Sequence, residues 1–144
     1  MASPARAFDP DAVFERLKAI LEPFGRRMHV VADGSDGYSI DMAAESERDP
    51  TTWFGAVRRG KRYVSYYLMP VYVEPALLDG ISPELRRRMQ GKSCFNFTAV
   101  DERLFGELED LTRRSFERAG GDPRWAVARR GERGMARRSA LDRP

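Results

Sequence analysis

The sequence predicts an α+β domain: an antiparallel sheet of about five strands flanked by an N-terminal helix, two short inserted helices and a long C-terminal helix. Three observations predict it. Five short runs rich in β-branched and aromatic residues, Met28 to Ala32, Tyr38 to Met42, Trp53 to Val57, Tyr63 to Met69 and Ser93 to Phe97, are separated by turn residues. One stretch before them and one after carry apolar residues at three- and four-residue spacing. Between the fourth and fifth runs, Pro70, Asp79-Gly80 and Ser82-Pro83 break the chain so often that only short helices fit.

The elements follow in order. Residues 1–8 are small and polar, lack the apolar core of a signal peptide, and are expected to be disordered. Asp9 caps the first helix and Pro10 enters it where its missing N–H is no loss. Val13, Phe14, Leu17, Ile20, Leu21 and Phe24 form one apolar stripe, so this helix must lie on the sheet. Asp33-Gly34-Ser35-Asp36-Gly37 then joins the first two strands as a hairpin turn. It lacks the spacing and the downstream glutamate of a calcium loop. Glu45 to Pro50 is a charged connector in which Glu45, Glu47 and Asp49 are the candidates for a hard-cation site, and Arg59-Gly60-Lys61 turns the third strand back into the fourth.

The fourth run, Tyr63 to Met69, is apolar on both faces and is expected near the sheet centre, ended by Pro70. Ser82 caps a short basic helix beginning at Pro83, with Ile81, Leu85 and Met89 on one face and Gly91 placed to end it in a left-handed conformation. After the fifth strand, Asp101 caps the closing helix, whose buried stripe is Leu104, Phe105, Leu108, Leu111, Thr112 and Phe116. Its outer face offers i,i+4 pairs between Arg103 and Glu107, Glu109 and Arg113, and Asp110 and Arg114.

The run YYLMPVYVEPALLDGISPELRRRMQGKSCFNF, preceded by WFGAVRRGKRYVS, resembles a family of small bacterial proteins related to the YdhG-like group. The likeness extends over residues 10 to 118, and the order LMPVY, ISPEL, GKSCFNF carries its specificity; a Gly-Met-Pro segment of the better-known branch has no counterpart here. The resemblance implies a small α+β domain at residues 9–118. Because one branch of the group is described as a frataxin-like intracellular iron chaperone, it also implies iron handling as an alternative function.

Composition narrows the function classes. With 144 residues, 42% hydrophobic and 33% charged, the chain fits one globular domain, and no apolar run is long enough to span a membrane. A single cysteine allows no internal disulfide and points to a cytoplasmic location. The net charge of +3 is unevenly distributed. Arg124, Arg129, Arg130, Arg133, Arg137, Arg138 and Arg143 oppose only Asp122, Glu132 and Asp142 in residues 119–144, which read as a basic, disordered tail. Such a tail could bind nucleic acid, with Trp125 stacking on a base. Of the 25 basic residues only Lys18, Lys61 and Lys92 are lysine, however, so the tail's arginines also fit a general compositional bias.

No catalytic constellation is legible. Gly91-Lys92-Ser93 echoes a phosphate-binding loop, but it leads from helix to strand, the reverse of what that loop requires. Cys94 has only His29, in a distant strand, as a conceivable base, and both read as ordinary strand residues. The acidic residues of the last helix are interleaved with arginine and read as a solvated face rather than a metal-attracting ridge. What remains is an aromatic group: Tyr66, Tyr67, Met69, Tyr72, Ser93 and Asn96 are the candidate lining of an apolar pocket with a few polar groups. The leading expectation is therefore a non-enzymatic domain, monomeric or homodimeric, that binds a small molecule or a protein. It has no evident metal or cofactor site and no membrane partner. Iron chaperoning and nucleic-acid binding through the tail are the alternatives.

Overall fold

A computed structural model describes residues 8–42 and 52–121. The acidic connector with Glu45, Glu47 and Asp49, residues 1–7, and the tail from residue 122 with Trp125 and its arginines lie outside the described residues.

The opening helix α1 spans Pro10–Gly25, and Asp9 Oδ1 accepts a hydrogen bond from the Ala12 amide at 3.2 Å, the capping contact its sequence position predicts. Strands β1 (His29–Asp33), β2 (Gly37–Met42), β3 (Thr52–Arg59) and β4 (Val64–Leu68) follow. Two helical pieces come next, α2 (Met69–Val73) and a 3-10 turn (Pro75–Leu78), then α3 (Pro83–Arg86), β5 (Cys94–Phe97) and the closing helix α4 (Glu102–Gly121). Helix α4 thus runs past the expected domain end at residue 118. The five strands form one antiparallel meander in the order β1-β2-β3-β4-β5, as an α+β architecture with short inserted helices requires. Among the described residues no helix is long and apolar enough to cross a membrane.

Strand parity sorts the sheet into two faces. Tyr38, Ile40, Val57, Val64, Tyr66, Leu68, Phe95 and Phe97 are buried against α1 and α4. The two helices lie side by side in the same direction, because Arg16 meets Glu102 near their starts while Phe24 meets Phe116, with ring centroids 5.4 Å apart, near their ends. The opposite face holds a smaller cluster of Trp53, Ala56 and Met69, with Tyr67 and Tyr72 packed on it. Strand β4, flanked by β3 and β5, is buried on both faces except at Tyr67, in line with its apolar sequence.

Two details differ from the sequence reading. The basic helix ends at Arg86, with Arg87 as its cap, and does not reach Gly91. Arg88 and Gln90 instead pair with β5: the Asn96 amide donates to Arg88 O at 2.8 Å and the Gln90 amide to Cys94 O at 2.9 Å. Gly91 does adopt a positive φ of 78°, but it does so in the tight turn of this ribbon. On α4, Asp110 pairs with Arg114 at 2.9 Å as spaced, while two anticipated pairs are redirected by closer partners. Glu107 is taken by Ser82, and Arg103 points to Glu84 at 3.9 Å. Arg113 contacts Asp110 and Glu117 rather than Glu109.

Candidate functional site

An open cleft of about 600 Å³ lies beside the inserted helices, lined by Val71, Tyr72, Val73, Pro75, Leu78, Arg86, Met89, Gly91 and Lys92. Its walls are built from short-range signals. Pro70 at the start of α2 and Pro75 at the start of the 3-10 turn each occupy a first-turn position where no N–H is needed, so the chain folds into two tight pieces rather than one helix. Ser82 Oγ caps α3 by accepting from the Leu85 amide at 3.1 Å.

Helix α4 fastens these pieces. Arg118 Nε donates to both carboxylate oxygens of Glu74, at 2.9 and 3.0 Å, and an Arg114 guanidinium nitrogen donates to Leu77 O at 3.0 Å. Both oxygens of Glu107 hold Ser82, through its amide at 2.8 Å and its hydroxyl at 2.7 Å. The cleft is therefore braced from behind by three side chains of one helix, a preorganisation that lowers the cost of ordering it around a ligand.

Its chemistry is amphipathic. Val71 and Leu78 are buried and Met89 is half-buried, giving an apolar floor. The charged lining residues are Arg86 and Lys92, both exposed, and among the described residues no carboxylate lines the cleft. Arg86 is oriented by a 3.1 Å hydrogen bond to Leu78 O, and the Lys92 ammonium stands 5.8 Å from the centroid of the Tyr72 ring. An apolar body fits the floor, and an anionic group fits the two cations at the edge.

The residues singled out from sequence are divided by the fold. Tyr72 lines the cleft. Tyr66 is completely buried on the helix side, its hydroxyl 2.6 Å from Thr112 Oγ1. Tyr67 and Met69 lie on the opposite face with Trp53, whose ring centroid is 5.5 Å from that of Tyr67. Ser93 is half-buried, and its carbonyl accepts from the Leu68 amide at 2.9 Å. Asn96 is held in a polar network, accepting from Ser65 Oγ at 2.7 Å and Cys94 Sγ at 3.4 Å and donating to Gln90 Oε1 at 2.7 Å. Arg86, Met89 and Lys92 were missed by sequence reasoning. The one signal that could have found them is the clustering of Arg86, Arg87, Arg88 and Lys92 beside the Tyr72 segment.

His29 and Cys94 occupy opposite edges of the sheet, on β1 and β5, roughly 19 Å apart at the usual spacing of neighbouring strands. They do not form a pair. Among the described residues no group of three His, Cys, Asp or Glu side chains could hold a metal ion. The α4 carboxylates Glu102, Asp110 and Glu117 are engaged by arginine, and Glu107 by Ser82. The chain matches no family model, no curated protein and no solved structure.

Proposed function

We propose that this protein is a non-enzymatic binding protein of the cytoplasm, related to the YdhG-like group, whose ligand has an apolar body and an anionic head. One observation carries the reading: the cleft combines an apolar floor of Val71, Leu78 and Met89 with two cations, Arg86 and Lys92, and no lining carboxylate among the described residues. Among the described lining side chains an anion meets Arg86 and Lys92 and no carboxylate, and an iron ion meets no carboxylate and only the Tyr72 hydroxyl as a hard oxygen. The iron reading receives no support from this cleft or from the arginine-paired face of α4.

The test is calorimetric titration of the full chain with dodecanoate and, in parallel, dodecanol. Saturable one-to-one binding of the carboxylate is expected, with dodecanol weaker. Lys92→Ala and Arg86→Ala should each weaken the carboxylate by about tenfold, the loss of one charge-assisted contact, while leaving dodecanol nearly unaffected. Absence of saturable binding by either probe overturns the reading, and so does carboxylate binding that both variants leave unchanged.

A further inference from the structure

Among the described residues β1 is the outermost strand of the sheet, paired only with β2. All five of its residues, His29 to Asp33, are exposed, with Val30 at 46% and Val31 at 57%. No other described strand presents two large apolar side chains to solvent. Edge strands of this kind usually carry a lysine or a proline that discourages pairing. His29-Val30-Val31-Ala32-Asp33 has neither, and its one acidic residue, Asp33, stands at its end. A bulge between Val30 and Ala32 adds local twist, which limits any added ladder to a few residues.

Charge is ordered along this edge. Arg26 and Arg27 stand just before its start and Asp33 and Asp36 at its end, all of them exposed. Arg27 lies over the Phe116 ring at 4.8 Å, and Asp33 accepts from Lys18 at 2.9 Å. A strand running antiparallel with the same sequence places its acidic end beside this basic start, and its basic start beside this acidic end. Because a twofold interface is self-complementary, the favourable contact is made twice. A parallel copy would set like charges together at both ends.

We propose that the β1 edge pairs antiparallel with β1 of a second copy of this chain, joining the two sheets across a twofold axis and covering Val30 and Val31. The inference is independent of the cleft, which lies beyond the other side of the sheet among the insertions between β4 and β5.

Sedimentation velocity of the full chain over a range of concentrations tests it with two charge-reversed variants. One carries Arg26→Glu and His29→Glu, the other Asp33→Lys and Asp36→Lys; all four positions are exposed, and circular dichroism checks that each variant is folded. The unaltered chain is expected to show a monomer–dimer equilibrium. Each variant alone should dimerise at least about tenfold more weakly, and an equimolar mixture should recover a heterodimer, because opposite charges again meet at both ends. Val31→Lys should also abolish the dimer. A chain that stays monomeric throughout overturns the proposal. So does a dimer that the charge reversals leave unchanged, or variants that remain monomeric when mixed.

Discussion

The Tyr66 hydroxyl lies 2.6 Å from Thr112 Oγ1, and both side chains are completely buried. Thr112 donates its own proton to Leu108 O at 2.8 Å, so in this pair Tyr66 is the donor. The bond ties the interior strand β4 to the closing helix α4 through the core. Its two ends are not equivalent: removing the donor leaves Thr112 still bonded, whereas removing the acceptor strands a buried phenol.

Tyr66→Phe is therefore expected to cost about 1 kcal/mol and Thr112→Val about 1 to 3 kcal/mol, with part of the second loss recovered in the double variant. Urea unfolding of the four proteins at neutral pH measures this. A Thr112→Val loss no larger than that of Tyr66→Phe would contradict the assigned direction of the bond.

Burial raises the Tyr66 pKa well above its ordinary value of 10, against a smaller opposing effect of the bond to Thr112, and burial raises that of Tyr38 too. The fold thus favours the neutral phenol. That stability is complete below the unfolded pKa near 10 and is lost as pH rises from there toward the folded value. Lys18, raised by its hydrogen bond to Asp33, loses its contribution in the same alkaline range. Above pH 10 the stability of Tyr66→Phe should fall less steeply than that of the unaltered chain, so the gap between them narrows. Parallel slopes in alkaline denaturation would show that Tyr66 is not the group responsible.

On the acid side, Arg16 holds Glu102 below its ordinary value of 4.5 through hydrogen bonds of 2.6 and 2.7 Å, and Arg114 does the same for Asp110, ordinarily 3.8. A depressed carboxylate contributes stability above its unfolded pKa and loses it as pH falls through the folded value. Both pairs are exposed, so the contribution is small and screened. Glu102→Gln should lower the thermal midpoint slightly at pH 7 in low salt. The difference should shrink as pH falls below 4.5 through the folded value, and it should also vanish in about 1 M salt, where the Debye length is about 3 Å. A difference that persists in high salt would mean that Glu102 acts through packing rather than charge.

Two glycines should respond oppositely to alanine. A Cβ at Gly55 would lie 2.9 Å from the Tyr67 carbonyl oxygen and 3.3 Å from Leu21 Cδ1, between strand β4 and helix α1. Gly55→Ala is expected to cost about 1 to 3 kcal/mol by overpacking. At Gly106, exposed on α4, nothing lies within 4 Å, so alanine should add about 0.5 to 1 kcal/mol through helix propensity. Thermal unfolding reads both, and a destabilised Gly106→Ala would reveal a contact on that face of α4.

Local chemistry made much of the fold legible in the sequence. Asp9, Ser82 and Asp101 are capping residues before helical spacing, and each accepts the amide predicted for it. Two of the strand junctions are short turns, Gly34 to Gly37 closed by a 2.9 Å hydrogen bond and Gly60 to Tyr63 closed by one of 3.0 Å, and these return the chain to its antiparallel neighbour. These signals act over a few residues, and a few residues are what a sequence displays directly.

Tertiary structure alone decided where the candidate site lies. Tyr66 and Tyr67 are adjacent in the chain, but strand parity sends one into the core and the other to the opposite face, while Tyr72, beyond a helical turn, reaches the cleft. The partners of that cleft, Arg86, Met89 and Lys92, come from the far side of the insertion, and Glu107, Arg114 and Arg118 of the last helix brace it. Composition sets which residues can be buried or paired. Only chain packing, which brings together groups separated by tens of residues, sets which of them meet.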